Sequence, residues 1–316
     1  MKIQAISPAR ISLFGGGSDV DPYASRYGGM TISMAISIRQ KITMYNDNDI
    51  FELLDNVFPH HADPKLFYSI FKKYGIDGGH LTRVTSEFDG RVGAGLGSSA
   101  SACVALIGSI NKRKSLGMSL KQIAHAAWQA EQAMGWHGGR QDQWTSAFGG
   151  LNLFHFSNGK ISRTEFSQEF ADELTKYLLL FDTGGVRASH EIQKGFLKLS
   201  QQQTKKLHLI RLLAKRAFTL IMDQDFEPLG QVLHESWQVK KESNKGITNT
   251  KIDDIYDMAR NAGATGGKLL GAGGCGYMIF WVPPIHQDKV IHRMEQEGYD
   301  HVIYYPDEQG LEVKEL

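Results

Sequence analysis

The chain has 316 residues, of which 41% are hydrophobic and 22% are charged, and this composition excludes a disordered or collagen-like protein. Lys and Arg number 35 against 34 for Asp and Glu, so the near-zero net charge argues against nucleic acid or an anionic membrane as a partner. We expect no signal peptide and no membrane-spanning segment. The two cysteines, Cys103 and Cys275, are too few for a disulfide framework. They predict reduced thiols and a cytoplasmic location.

The first half of the chain predicts strands and helices around two glycine-rich segments. In chain order, the predicted elements are strands over 3–6 and 10–14, a helix over 21–26, strands over 30–38 and 41–46, a helix over 67–74, a strand over 80–86, helices over 100–114, 120–134 and 140–148, and a strand over 151–156. Ser119 is a typical N-cap for the helix that follows it.

Residues 157–175 carry polar turns without a core pattern, so we place a domain boundary there and expect domains over 1–165 and 166–316. The second half predicts, in order, a strand over 177–181, helices over 187–201, 204–223, 225–242 and 251–262, strands over 267–270 and 276–282, a helix over 285–297 and a strand over 301–305. Strands in groups and helices in groups are typical of the α+β class.

A glycine-rich loop runs directly into the helix predicted over 100–114. Its candidate phosphate-binding residues are Gly93, Gly95, Leu96, Gly97, Ser98 and Ser99. The N-terminus of a helix offers unpaired N–H groups and partial positive charge, and glycine lets a phosphate come close. The loop lacks the Lys of a P-loop and the acidic residue of a dinucleotide fingerprint. A hydroxyl here suits Mg²⁺ or a phosphate, while the alternative is a turn in which Ser98 only caps the helix.

Two acidic residues, Glu131 and Asp142, stand eleven positions apart downstream of this loop. Phosphoryl transfer needs a metal on the nucleotide phosphates and a carboxylate that orients or deprotonates the acceptor hydroxyl. Glu131 is a candidate for the first role and Asp142 for the second. The alternative is a solvated helix face at Glu131 and a helix cap at Asp142.

Three segments resemble the motifs of the GHMP kinases, the family of galactokinase, homoserine kinase, mevalonate kinase and phosphomevalonate kinase. They are SPARISLFGGGSD over 7–19, GAGLGSSA over 93–100 and KLLGAGGCG over 268–276. All three stand in the family's order, so the resemblance covers nearly the whole chain. It implies an N-terminal domain like the second domain of ribosomal protein S5 and a ferredoxin-like C-terminal domain, with ATP between them.

The resemblance also implies roles for single residues. Ser98 and Ser99 would contact phosphates and Mg²⁺, and Glu131 would bind the metal. Asp142 falls on the catalytic aspartate, and Arg10 on a basic residue that polarises the acceptor hydroxyl. The implied acceptor-side residues are Asp19, which matches a sugar-hydroxyl ligand, together with Gly16, Gly17, Gly273 and Gly274.

Within the family, the pattern is similar to the sugar 1-kinases. GGGSDV over 15–20, GGRQDQ over 138–143 and HESW over 234–237 with Lys240 and Lys241 resemble most the kinases of D-glycero-D-manno-heptose 7-phosphate. The implied reaction is an ATP- and Mg²⁺-dependent transfer to the C1 hydroxyl, giving the 1,7-bisphosphate for nucleotide-heptose synthesis. L-fucose kinase domains share much of this pattern. The alternatives are therefore a kinase of an unphosphorylated sugar and a catalytically silent sensor on the same fold.

An acceptor that already carries a phosphate needs a second anion site. The candidate cations are Arg26, Arg140, Arg187, Lys240 and Lys241, among which arginine is favoured because its fork binds phosphate through two hydrogen bonds. Each could instead be a solvated surface charge. A small-molecule sugar phosphate is the expected partner, and the resemblance allows a homodimer.

Overall fold

The computed structural model describes residues 2–46, 64–76, 82–185, 199–243 and 246–316. In these ranges it contains two antiparallel sheets with helices packed against them, which confirms the predicted α+β class. No helix within the same ranges is both long enough and apolar enough to cross a lipid bilayer.

The first sheet is built around one long strand. Its strands are β1 (Lys2–Phe14), β2 (Gly29–Asn46), β3 (Thr82–Phe88), β4 (Leu151–Ser157), β5 (Lys160–Glu165) and β10 (Glu312–Glu315). Strand β2 pairs with β1 along one edge, and along the other edge it pairs first with β4 and then with β3. Strands β10 and β5 extend the sheet at its two sides, in the order β10-β1-β2-β4-β5.

The helices that accompany this sheet in the described part of the chain are α1 (Tyr23–Tyr27), α2 (Pro64–Lys73), α3 (Ser98–Arg113), α4 (Leu120–Ala133) and α5 (Gln141–Phe148). Helix α3 is buried along most of its length, because its many Ala, Ser and Gly residues let it lie close to its neighbours. A Cβ on Gly108, for example, would lie 2.8 Å from the side chain of Leu311. Helix α4 begins with the predicted N-cap, since Ser119 and Gln122 form a complete capping box.

The second sheet contains β6 (Leu178–Asp182), β7 (Gly266–Leu269), β8 (Tyr277–Trp281) and β9 (Asp300–Val302). Its order, β7-β8-β6-β9, places the first strand beside the third and the fourth, which is the ferredoxin-like arrangement that we expected. The accompanying helices are α6 (Gln168–Thr175), α7 (Gln201–Met222), α8 (Leu229–Lys241), α9 (Thr250–Ala262), a short 3₁₀ turn (Pro284–His286) and α10 (Gln287–Gln296).

The structure differs from the predicted elements in several places. The strands predicted over 30–38 and 41–46 form the single strand β2, and β10 was not predicted. The two strands predicted on either side of Pro8 are one strand, because a register shift between Pro8 and Ala9 accommodates the missing N–H of proline. The polar stretch 157–175 forms β5 and α6, whose exposed faces lack a core pattern. Most of the helix predicted over 187–201 lies outside the described residues, and the division at residue 165 stays a prediction.

The end of the chain returns to the first sheet, where Arg39 of β2 holds it. The Arg39 guanidinium donates to Asp307 Oδ2 at 2.5 Å and to Glu312 Oε1 at 2.6 Å. Asp307 is buried, and the hydrogen bond from Arg39 lowers the pKa of Glu312. This arginine therefore connects the C-terminal segment to the central strand of the sheet.

Arg39→Met should destabilise the protein by about 1–3 kcal/mol, because it leaves the buried Asp307 carboxylate without its ionic partner. Lys41→Met is the matched control two residues along the same strand. Lys41 pairs with a largely exposed Glu87, so its loss should change stability by no more than about 0.5 kcal/mol. Urea unfolding of both variants measures the difference, and equal effects would contradict this role for Arg39.

Candidate active site

A bidentate ion pair between Arg10 and Asp142 lies at the centre of the candidate site. Arg10 of β1 donates from Nε and Nη2 to the two Asp142 oxygens at 2.7 and 2.6 Å, and from Nη1 to the Gly95 carbonyl at 2.6 Å. The Arg10 side chain is 5% exposed and that of Asp142 is 28% exposed. Arg10 is thus fixed, while the carboxylate that it orients remains accessible.

Asp19 lies beside this pair and is buried. Its carboxylate accepts hydrogen bonds from the backbone N–H of Gly17 and of Gln141, both at 3.1 Å, and from Gln141 Nε2 at 3.3 Å. Burial, with the nearby charge of Asp142, raises the pKa of Asp19. Gly139 makes this approach possible, because a Cβ there would lie 1.9 Å from Asp19 Oδ2.

The glycine loop over 93–97 ends at the N-terminus of α3. Gly97 is the N-cap residue in a left-handed conformation and provides no side-chain cap, unlike Ser119 at the start of α4. Ser98 lies in the helix, and its hydroxyl accepts from the Gly93 N–H at 3.3 Å, so it is not the N-cap. The first-turn N–H groups of α3 therefore have no side-chain partner, as an anion site requires.

The third motif packs directly on this loop, backbone against backbone. A Cβ on Gly95 would lie 2.7 Å from the Leu270 carbonyl oxygen, and one on Gly276 would lie 2.2 Å from the Ala94 carbonyl oxygen. Both glycines also have positive φ. Gly273 and Gly274 lie against the backbone of Ile247, and their predicted contact with an acceptor stays a prediction.

Ser99, Glu131 and Gln143 form an oxygen-rich group below the start of α3. Glu131 accepts a hydrogen bond from the Ser99 hydroxyl and another from Gln143 Nε2 at 2.6 Å. Burial raises the pKa of Glu131 to about 7. The Gln143 Oε1 atom is buried and has no hydrogen-bond partner among the described residues.

This donor set fits Mg²⁺, which prefers oxygen ligands and is usually held by one or two carboxylates together with substrate phosphates. No group of three or more His, Cys, Asp or Glu residues in the described ranges could hold a metal alone. Ser99 and Glu131 are the residues that could hold the ion, and Mg²⁺ held there would neutralise charge on a phosphate bound at the start of α3.

The structure does not place all the cations that were predicted to bind a phosphate of the acceptor at one site. Arg140 pairs with Asp21 at 2.6 Å and stacks on Trp128 at 4.4 Å from the ring centroid. Lys241 turns away to pair with Asp253 on α9. Arg26 lines a cleft next to Asp19, and Arg187 is not among the described residues.

Two lysines lie beside the third motif. Lys240 donates to the Gly271 carbonyl at 2.8 Å, and burial lowers its pKa to about 8. Lys268, which sequence reasoning missed, donates to the Leu13 carbonyl at 3.0 Å. Burial holds its pKa well below the usual range, and the charges of Lys240 and Arg10 act in the same direction.

Gln141 and Gln143 are the other site residues that the sequence analysis missed. Both are buried on α5, on either side of Asp142. Gln141 contacts Asp19 and Gln143 contacts Glu131. The sequence signal that could have found them is the polar run Gln141-Asp142-Gln143 at the start of a helix whose other residues are mostly buried.

Comparison with known proteins identifies the family. Residues 65–150 match the GHMP kinases N terminal domain, and residues 212–300 match the GHMP kinases C terminal domain. The two matches together span more than half of the chain, which therefore belongs to the GHMP kinase family.

Within this family, the chain is similar to several kinases that act on sugars or sugar phosphates. The chain is 29% identical, over 94% of its length and 94% of the relative's, to the D-glycero-alpha-D-manno-heptose 7-phosphate kinase of Campylobacter jejuni. It is 23% identical over 92% of its length to the bifunctional fucokinase/GDP-fucose pyrophosphorylase of Arabidopsis thaliana, of which it spans 31%. The fold is shared with a D-glycero-D-manno-heptose 1-phosphate kinase from Bacteroides thetaiotaomicron, with a TM-score of 0.78, 21% identity and 99% of both chains covered.

Glu131→Gln should stabilise the protein in the absence of nucleotide and Mg²⁺ at pH 8. The folded-state pKa of about 7 lies above the ordinary value of 4.5, so the ionised carboxylate costs stability, and that cost grows as the pH rises from about 4.5 to 7. At about 1.4 kcal/mol per pKa unit, the cost reaches up to about 3 kcal/mol. Thermal unfolding at pH 5 and pH 8 measures it.

The gain should shrink at pH 5, where Glu131 is protonated in the folded protein. Glu165→Gln is the control, because Glu165 is an exposed glutamate in a surface ion pair with Arg163 and should have little effect at either pH. A Glu131→Gln variant that is no more stable than the parent at pH 8 would contradict the burial argument.

Proposed function

We propose that this GHMP kinase is an ATP- and Mg²⁺-dependent sugar 1-kinase whose acceptor is D-glycero-D-manno-heptose 7-phosphate and whose product is the 1,7-bisphosphate. The observation that carries the proposal is the accessible Asp142 carboxylate, fixed by Arg10 and adjacent to the buried Asp19. The relative from Campylobacter jejuni supports the choice of sugar.

The nucleotide phosphates would bind at the start of α3, where the first-turn N–H groups lack a side-chain cap. Ser98 and Ser99 would contact the phosphates, and Glu131 and Ser99 would hold Mg²⁺. The glycines of the loop leave no Cβ to obstruct this approach. These residues would therefore bind the nucleotide phosphates and the metal ion.

The acceptor would bind between Asp19 and Asp142. A carboxylate accepts hydrogen bonds from sugar hydroxyls, and the buried Gln141 Oε1, which has no hydrogen-bond partner among the described residues, offers one more acceptor. The C1 oxygen forms a bond to the γ-phosphorus while the bond from that phosphorus to the β,γ-bridging oxygen breaks. The proton of the C1 hydroxyl passes to the Asp142 carboxylate, whose orientation Arg10 fixes.

An L-fucose-type kinase is the second candidate, and the match to a plant fucokinase favours it. That enzyme would act on an unphosphorylated sugar with the same catalytic groups. A silent sensor is less well supported, because a sensor needs neither Asp142 nor its arginine. The reaction would take place in the cytoplasm, and a homodimer stays a prediction.

A kinase assay with Mg²⁺ and ATP tests the proposal, with heptose 7-phosphate, D-mannose, L-fucose and D-galactose as parallel acceptors. We expect ADP release to depend on heptose 7-phosphate. Turnover of L-fucose alone would support the second candidate, and ATP binding without turnover of any acceptor would support a sensor.

Asp142→Asn should lower kcat by about 10²–10⁴-fold and leave the KM for ATP unchanged, because the amide can still hydrogen bond but cannot take the proton. Steady-state kinetics with the preferred acceptor measures this. Asp172→Asn, on an exposed turn of α6, is the control and should behave as the parent. If Asp142→Asn retained full kcat, Asp142 would not be the base.

A further inference from the structure

A cleft of about 320 Å³ opens next to Asp19, within the range of small-molecule pockets. It is formed by the loop before α1, by α1 itself, by the second half of α4 and by the loop before α5. Its lining residues are Asp19, Asp21, Arg26, Trp128, Gln132 and His137, together with Pro22 and Gly138.

The cleft has a buried end and an exposed end. Asp19, at 2% exposure, marks the inner end, where it contacts Gln141, the neighbour of Asp142 in sequence. Arg26 is exposed on α1 and marks the outer end. A ligand whose reacting hydroxyl meets Asp142 would therefore extend past Asp19 towards Arg26.

Some charged side chains near the cleft form ion pairs in the described part of the chain and others do not. Asp21 is neutralised by Arg140, whose guanidinium also stacks on Trp128. The side chains of Arg26 and His137 line the cleft and have no hydrogen-bond or ion-pair partner among the described residues. The cleft therefore presents two side chains with unused hydrogen-bonding groups, and Arg26 at its outer end is a permanent cation.

We propose that Arg26, together with His137 from the lining of the same cleft, binds a phosphate group at the end of the acceptor that is remote from the reacting hydroxyl. This inference rests on the proposed function and identifies the residue that selects a phosphorylated sugar over a free one. A guanidinium can bind a phosphate through two hydrogen bonds. At the exposed end of the cleft the phosphate dianion keeps part of its hydration, which lowers the cost of binding it.

The structure also separates Arg26 from the other candidate cations. The guanidinium of Arg140 is engaged by Asp21, and the ammonium of Lys241 by Asp253. Lys240 donates to the Gly271 carbonyl below the third motif. Arg26 alone, among the four described candidates, combines a place in the cleft with an unpaired charge.

The test compares D-glycero-D-manno-heptose 7-phosphate with unphosphorylated D-glycero-D-manno-heptose in the parent and in Arg26→Gln. We expect the KM for the phosphorylated sugar to rise about 10- to 100-fold, because the variant loses the charged hydrogen bonds between the guanidinium and the phosphate. The kcat, the KM for ATP and the kcat/KM for the free heptose should not change. His137→Gln should give a smaller rise with the same selectivity, and inorganic phosphate should inhibit the parent more than Arg26→Gln.

Arg216→Gln is the matched control, because Arg216 is an exposed arginine outside the cleft that pairs with Glu235. An unchanged KM in Arg26→Gln, or an equal loss towards both sugars, would overturn the inference. A parent enzyme that phosphorylates free heptose as well as the 7-phosphate would also overturn it. A parent that phosphorylates no sugar would instead refute the proposed function, before any variant is compared.

Discussion

Three hydrogen bonds from one buried guanidinium connect the parts of the active site. Arg10 contacts both oxygens of Asp142, 132 residues away in sequence, and the carbonyl of Gly95, 85 residues away. An unpaired buried arginine would be costly, so the first strand, the glycine loop and α5 must reach these positions together. The same glycine also meets the third motif, because a Cβ on Gly95 would lie 2.7 Å from the Leu270 carbonyl oxygen. The proposed nucleotide end and the proposed acceptor end of the site thus share one fixed cation.

Around this cation the protein keeps features that lower its own stability. Burial raises the pKa of Asp19 and of Glu131 and lowers the pKa of Lys240 and of Lys268, so each group is charged at some expense. The start of α3 has no side-chain cap, although α4 has a complete one. Such costs are typical of functional sites, where charge and open hydrogen-bonding groups serve ligands rather than the fold. The bound nucleotide, metal and sugar would supply the missing partners.

The sequence predicted the α+β class and most helices, because apolar periodicity and capping residues act locally, whereas the ferredoxin-like sheet was implied by the resemblance to the GHMP kinases. The resemblance implied roles for Arg10 and Asp142, which the structure places in contact, and those roles stay predictions. The sequence did not predict β10, whose pairing with β1 depends on a contact across nearly the whole chain. It did not single out Gln141 or Lys268, because a buried amide or lysine has no periodic signature and becomes visible only when its partner is known. Nor could the sequence show which of Arg26 and Arg140 has an unpaired charge, since the ion pair between Arg140 and Asp21 is visible only in the structure.

The most direct measurement is a kinetic double-mutant cycle on Arg10→Met and Asp142→Asn with the preferred sugar acceptor. If Arg10 acts by holding Asp142, the two residues work as one unit. We then expect the double variant to be about as active as the less active single variant, with all three proteins folded by thermal unfolding. Losses in kcat that multiply would show that Arg10 and Asp142 act independently, and would contradict the central role of their ion pair.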